Sequence, residues 1–339
     1  MALDSRKLSL YEQTRTTVYG INNLSLSALP GDLDLAIANW LQDQDGALLR
    51  ANADQLTERY RAGQSSARVD LAAYLTTRMP ATYAAVRNVL GEVARVNPEF
   101  APTSMVDVGA GPGTASWAAL VEWPELSTVT MIETDARFVE LAGGLAKSSA
   151  LEALAKANII RAKMSEATAK ADLVVAAYVF AELVEKDAGE AALKLWAQTE
   201  NTLVIIEPGT PRGFARIHAT RQMLIKAGAQ IVGPCTHAAA CPMRGNDWCH
   251  FIVRLARSRE HMHAKQATVP FEDEPFSWIA VSRQPVPLSG ARVIRPPEQD
   301  KHSMTFKICS EQGLADRVIA RRDKAAYKQH RKTAWGDVV

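Results

Sequence analysis

The chain has 339 residues, 39 basic against 37 acidic side chains and a formal charge of +2. Hydrophobic residues make up 47%, enough for one large domain with additions or for two. No apolar run reaches the ~18–20 residues of a membrane span, and the balanced charge excludes a chain-wide grip on nucleic acid, so any such contact must come from local clusters.

Residues 1–30 read as a flexible N-terminus ending in SALPGD. It lacks the apolar stretch of a secretory signal, and Asp4 and Glu12 argue against a transit peptide. The default location is cytoplasmic, or the mitochondrial matrix in a eukaryote. Residues 31–100 read as a helical region: DLDLAIANWLQDQ, ADQLTERYRAG and ARVDLAAYLTTRM place apolar residues at helical spacing. Pro80 is expected to interrupt before ATYAAVRNVLGEVARV, and Asn97-Pro98 and Ala101-Pro102 mark a boundary.

From 101 to 230 strands and helices alternate. SMVDVGAG, STVTMIET, ADLVVAAYVF and NTLVIIE read as strands. TASWAALVEW, ARFVELAGGLAKSS, AALKLWAQ and GFARIHATRQMLIKAG read as helices. This alternation specifies an α/β fold with a parallel sheet covered on both faces. After about residue 229 it stops. FIVRLAR, FSWIAVSR, ARVIR and MTFKICS are β-like, so 231–315 reads as a cysteine-bearing insertion plus remaining strands, and 316–339 as a basic C-terminal tail.

The sharpest local motif is VDVGAGPGT (106–114), between a predicted strand and a predicted helix. Glycines there let the backbone turn sharply and approach a ligand. A dinucleotide loop would read G-x-G-x-x-G; here Gly109, Gly111 and Gly113 follow a G-x-G-x-G spacing after Asp107. That pattern resembles motif I of class I S-adenosylmethionine-dependent methyltransferases. The resemblance implies a Rossmann-like sheet whose glycine loop passes beneath the methionine part of the cofactor. It also implies an acidic residue at the end of the second strand that binds the ribose. Glu133 matches that position best, with Asp135 in reserve. The plainer reading is a βα turn whose glycines serve packing.

Catalytic residues are not evident. The segment after the fourth strand is Ala177-Tyr178-Val179-Phe180-Ala181-Glu182, with no Asn/Asp-Pro-Pro-aromatic run to hold a base amine. Glu182 is a candidate base or simply a helix-start carboxylate. In EPGTPRG (207–213) a rigid turn fixes a loop beside the crevice, and Arg212 is a candidate phosphate contact or a partner for Glu207.

The chain has four cysteines, Cys235, Cys241, Cys249 and Cys309, three of them within fifteen residues. Such clustering suggests metal ligands rather than disulfides. Zinc sites favour paired C-x2-4-C knuckles, which are absent. The irregular spacing with a remote fourth thiol suits a [4Fe–4S] cluster better. His237, His250, His261 and His263 leave zinc as the alternative. Near the C-terminus, Arg317, Arg321, Arg322, Lys324, Lys328, Arg331 and Lys332 stand against Asp323, with Tyr327 and Trp335 nearby. Cations pair with phosphates and rings stack on unpaired bases. Arg254, Arg257, Arg259 and Lys265 suggest a second basic patch. Either group is otherwise a solvated face.

EPGTPRGFARI (207–217), CPMRGNDWCHF (241–251) and FEDEPFSW (271–278) together resemble the mitochondrial ribosomal small-subunit protein 22 / methyltransferase-like protein 17 family, in its bacterial-type form. The resemblance covers about residues 30–339 and implies a class I methyltransferase fold with a helical N-terminal part. It implies a factor for small ribosomal subunit assembly that holds rRNA. It also implies that Cys235, Cys241, Cys249 and Cys309 ligate an iron–sulfur cluster, and that methyl transfer is lost in the mitochondrial members. The alternatives are an active rRNA methyltransferase and a zinc-containing small-molecule methyltransferase. No membrane association is expected, and a monomer is the default.

Overall fold

The computed structural model describes residues 28–42, 44–61 and 69–339, with only the backbone described over 57–61. Most of the expected flexible N-terminus, 1–27, lies outside the described residues. The chain divides into two compact units. The larger comprises Leu26–Gly233 and Asn246–Pro287; the described part of the smaller comprises Pro234–Gly245 and Leu288–Val339.

In the larger unit, α1 (Gly31–Leu41) buries Leu33 and Ile37, one helical turn apart, with Asp32 and Asp34 in its first turn. After α2 (Gly46–Arg61), a helical turn (Leu71–Ala73) capped by Asp70 runs into a π-turn (Tyr74–Arg78) and then α3 (Met79–Val96). The interruption expected at Pro80 does not occur. Proline has no N–H to donate to the preceding turn. The chain passes it by widening: the Met79 N–H reaches Tyr74 O. Meanwhile the Thr76 and Thr77 hydroxyls donate to Ala72 O and Ala73 O at 2.8 and 2.7 Å.

The sheet is built from β1 (Ser104–Val108), β2 (Thr128–Glu133), β3 (Asn158–Arg161), β4 (Ala171–Ala177), β5 (Thr199–Pro208), β6 (Gln230–Gly233), β7 (Phe251–Ala256) and β8 (Phe271–Ser282). Its order is β3-β2-β1-β4-β5-β8-β6, with β7 also on β8. The β3-to-β5 half is parallel; β8 runs antiparallel to β5, β6 and β7. The connecting helices are α4 (Thr114–Glu122), α5 (Ala136–Lys147), α6 (Ala188–Gln198) and α7 (Pro211–Lys226), and α8 (Arg259–Ala264) links β7 to β8. Leu203, Val204, Ile205 and Ile206 are all fully buried. An unbroken apolar run of this kind marks a strand covered on both faces. This mixed α/β sheet is a class I methyltransferase-like fold. Strand order reverses between β1 and β4, and the carboxyl ends of the strands there are where open α/β sheets form their ligand crevice.

The smaller unit holds a second, antiparallel sheet of β9 (Arg292–Val293), β10 (Glu298–Gln299), β11 (Ser303–Ser310) and β12 (Gly313–Ala320). It packs Val293, Met304, Phe306 and Ile319 into its own core, covered in part by Tyr327 of α9 (Lys324–His330). The segment expected as a basic tail, 316–339, is laid down as the end of β12, then α9, then a return in which Ala291 and Val339 exchange backbone hydrogen bonds at 2.9 Å.

Candidate functional site

The crevice begins with the glycine loop. Gly109, Gly111 and Gly113 have φ of +66°, +54° and +86°, a region that L side chains avoid. At Gly109 a Cβ would sit 2.5 Å from Val179 Cγ2, so both conformation and space demand glycine. Gly113 N-caps α4 and leaves that helix's first N–H groups facing the loop.

Asp107 lies beneath this loop at 1% exposure. It accepts hydrogen bonds from Ser116 N and Oγ at 3.0 and 2.9 Å. Burial pushes its pKa up to about 6 against those two donors. Its geometry is that of a buttress for the loop. Glu133 sits higher, at the end of β2: Oε2 accepts the Gly111 N–H at 2.9 Å, and Oε1 accepts the Thr134 and Asp135 N–H groups at 2.7 and 2.9 Å. One carboxylate therefore links the first two βα loops. Asp135 is committed elsewhere. It caps α5 through the Arg137 N–H and pairs with the Arg137 guanidinium, whose hydrogen bonds hold its carboxyl below the usual range.

Across the crevice, the chain leaves β4 through Tyr178, a non-glycine residue at φ +62°. Such a conformation costs about 1–3 kcal/mol and persists where surroundings enforce it. The Tyr178 N–H donates to Ile206 O at 2.7 Å, and its hydroxyl donates to Glu274 Oε1 at 3.0 Å. Glu274 also accepts from both Arg78 Nη2 and Nη1, at 3.0 and 3.2 Å. Burial pushes the Tyr178 hydroxyl well above its ordinary pKa, so it stays a donor. Nothing in the sequence pattern joins positions 78, 178 and 274; the pairing of β4 with β5 and of β5 with β8, beside α3, brings them together. The single available signal was Glu274 inside FEDEPFSW.

Glu207, fully buried, accepts the Phe180 N–H at 2.9 Å; burial pushes its pKa up to about 8 against the pull of the Arg216 guanidinium 3.9 Å away. Arg216, not Arg212, is thus the partner of Glu207. Burial, and then the charge of Glu133, raises the pKa of Glu182 above the usual carboxylate range.

No disulfide joins the four cysteines, and all are half-buried. Cys309 Sγ lies 3.6 Å from His237 Nε2 within the smaller unit, which also carries Cys235 and Cys241. Cys249 is on the larger unit, where its carbonyl accepts the Ser277 hydroxyl at 2.8 Å. Beside it, Trp248 Nε1 donates to Gly209 O at 2.9 Å, anchoring the cysteine segment to the EPGTPRG turn. Among the described residues, no three His, Cys, Asp or Glu side chains close round a point able to hold a metal ion. His261 is buried against Glu272, 2.9 Å away, rather than presented as a ligand.

The two basic groups differ. Arg254 pairs with Asp273 and covers the Phe271 ring at 4.1 Å, while Arg257 and Lys265 reach Glu272 at 3.5 and 2.6 Å. Three of that patch's four cations are thus held by Glu272 and Asp273 of FEDE, while Arg259 is exposed. The seven cations at 317–332 are all exposed, with Arg321 over the Tyr327 ring at 5.2 Å. Among the described residues, no helix is long and apolar enough to cross a membrane.

Residues 68–339 match the family described as Mitochondrial small ribosomal subunit Rsm22. Human ribosome assembly protein METTL17, mitochondrial, is 25% identical over 285 residues, which is 78% of this chain and 61% of that protein. Rsm22-cox11 tandem protein 2, mitochondrial, of Schizosaccharomyces pombe is 25% identical over 320 residues, 78% of this chain and 42% of that protein. The chain thus spans less than two thirds of the length of either relative. Among solved structures, magnesium protoporphyrin IX methyltransferase from Synechocystis with bound SAM aligns at TM-score 0.40 and 14% identity, covering 76% of this chain and 100% of that one. Precorrin-6y C5,15-methyltransferase from Geobacter metallireducens aligns at 0.39 and 13%, covering 59% and 87%. The strand order, rather than these alignments, carries the fold assignment. Because the family match takes in the sheet, the cysteines and the C-terminal cations together, the chain belongs to the mitochondrial small ribosomal subunit Rsm22 family.

Proposed function

We propose that this chain is a small ribosomal subunit assembly factor that holds rRNA, binds S-adenosylmethionine in the crevice and carries a [4Fe–4S] cluster on its cysteines. The observation that carries the reading is the intact cradle: three left-handed glycines and an oriented Glu133 inside a chain of the Rsm22 family. Gly109, Gly111 and Gly113 would let the backbone approach the ligand, and Glu133 would accept from its ribose hydroxyls, with Asp107 fixing the loop from below. Isothermal titration with S-adenosylmethionine tests the crevice, and no heat above buffer would retire it.

The crevice favours holding a cofactor over transferring its methyl group. The exit of β4 is occupied by the Tyr178–Glu274–Arg78 network instead of a proline pair that could grip a base. A methyl-transfer assay on immature small subunits decides: label on a single nucleotide would convert the reading to an rRNA methyltransferase.

The donor chemistry fits a thiolate-held cluster: four thiols, no disulfide, and an imidazole against one sulfur. The ligands would be Cys235, Cys241, Cys249 and Cys309, and the cluster would supply cross-linking of distant segments. Protein purified without oxygen should be brown, with absorbance near about 400 nm, and Cys249→Ser should lose its iron. Colourless protein with stoichiometric zinc would replace iron by zinc in this proposal. The exposed cations at 317–332 are the proposed rRNA contact, which makes the affinity fall with salt.

A further inference from the structure

Residues 69–78 cross the carboxyl edge of the sheet, and their contacts span the three loops that bound the crevice. At one end, Arg137 Nη1 donates to Val69 O at 3.0 Å, tying the segment to the β2–α5 turn beside Glu133. In the middle, the Tyr74 ring meets Phe138 of α5 edge-on, with centroids 5.0 Å apart. The Tyr74 hydroxyl oxygen stands 3.7 Å from the point a Cβ on Gly111 would occupy. At the far end, Arg78 is gripped by Glu274, which also accepts the Tyr178 hydroxyl at the exit of β4.

The π-turn gives this arrangement a cause. An inserted residue in a helix redirects the side chains around it, and such rare turns frequently sit at functional sites. Here Leu75, Thr76, Thr77 and Arg78 are buried, whereas Tyr74 at the start of the turn is only half-buried, over the glycine loop. A neutral phenol hydroxyl donates to an anionic or hydroxyl oxygen.

We propose that Tyr74 is a cofactor-contacting residue and that residues 69–78 are the cover of the crevice. The ligand, a nucleoside bearing a methionine chain, lies along the glycine loop beside this segment and accepts a hydrogen bond from the Tyr74 hydroxyl. Binding therefore orders the segment, because it adds a partner to a residue that already touches α5 and faces Gly111. The inference rests on the crevice being an S-adenosylmethionine site.

The test is titration of the full chain with S-adenosylmethionine and S-adenosylhomocysteine, using wild type, Tyr74→Phe and Tyr74→Ala. Amide hydrogen exchange over 69–78 is followed with and without ligand. Tyr74→Phe keeps the ring contact with Phe138 and removes only the hydroxyl, so it reports even if Tyr74→Ala fails to fold. Wild type should bind. Loss of one neutral hydrogen bond should weaken binding about fivefold in Tyr74→Phe, loss of the ring should weaken it further, and ligand should slow exchange over 69–78 in wild type. Wild-type affinity in both variants, or exchange over 69–78 unmoved by a bound ligand, would overturn the cover while leaving the crevice reading standing. If wild type binds neither ligand, the crevice reading itself fails and takes the cover with it.

Discussion

Glu207 sits at the end of β5 with no exposed surface, and that burial makes it a titrating element of the fold. Its carboxyl moves from an ordinary value of 4.5 up to about 8. Over that window the folded chain binds the proton more tightly than the unfolded chain, so stability falls as pH rises through it. Asp107 acts in the same direction between 3.8 and about 6. Thermal melts should therefore show a decline from pH 5 to pH 8, and Glu207→Gln should flatten it by more than about 1 kcal/mol. Parallel pH profiles for variant and wild type would remove Glu207 from this account. Arg78 makes the opposite kind of demonstration. Its guanidinium is the countercharge of a carboxylate that is itself 6% exposed. Arg78→Ala strands that charge and should cost about 3–5 kcal/mol by urea denaturation. Replacing Arg78 and Glu274 together by Met and Leu should cost much less, and equal losses would show that the pair is not coupled.

Elements were legible where local chemistry and burial agree. The runs ADLVVAAYVF and NTLVIIE declare β4 and β5, because strands buried on both faces need continuous apolar residues. β3 (NIIR) was not legible: it is four residues long, and Ile160 is 37% exposed. β12 was hidden for the opposite reason. Its Asp316 and Arg317 face solvent, so a pairing strand reads as part of a charged tail. That strand carries Arg317 and α9 carries Lys324 and Lys328, with the other four cations flanking them. Since these side chains are exposed, reversing Arg321, Arg322, Lys324 and Lys328 to Glu should leave the melting temperature within a few degrees. It should weaken rRNA binding and flatten the plot of log affinity against log salt by about 0.7–0.9 for each phosphate no longer neutralised. An unchanged salt slope in filter binding would move the RNA-binding surface elsewhere.

At the scale of the molecule, the glycine loop and Glu133 could be read from the sequence because their chemistry lies in two contiguous stretches after strands. The Arg78–Tyr178–Glu274 network could not, since its members are about a hundred residues apart and meet only through strand pairing. The same pairing accounts for three of the four cations of the second basic patch, Arg259 excepted. A count of cations at 254–265 suggests an RNA surface, until β8 sets Glu272 and Asp273 against Arg257, Lys265 and Arg254. For the cysteines, residue type and number were legible, while the approach of Cys309 to His237 across 72 positions was not.

β8 is shared along its length: Gly233, ending β6, pairs with Ala280, and Phe251, opening β7, pairs with Phe276. Those two anchors are four positions apart on one strand, roughly 13 Å at the usual rise per residue. The chain between them leaves the sheet and comes back to nearly the same place, as an inserted passage does in a host domain. Passages with neighbouring endpoints can be lengthened, exchanged or cut with little change in closure entropy. Bridging 233 and 251 with a short Gly/Ser linker should therefore give a protein without the proposed cluster that still binds S-adenosylmethionine as the proposed function requires. The host sheet and its passenger would then count as separately replaceable parts, each open to its own evolutionary history.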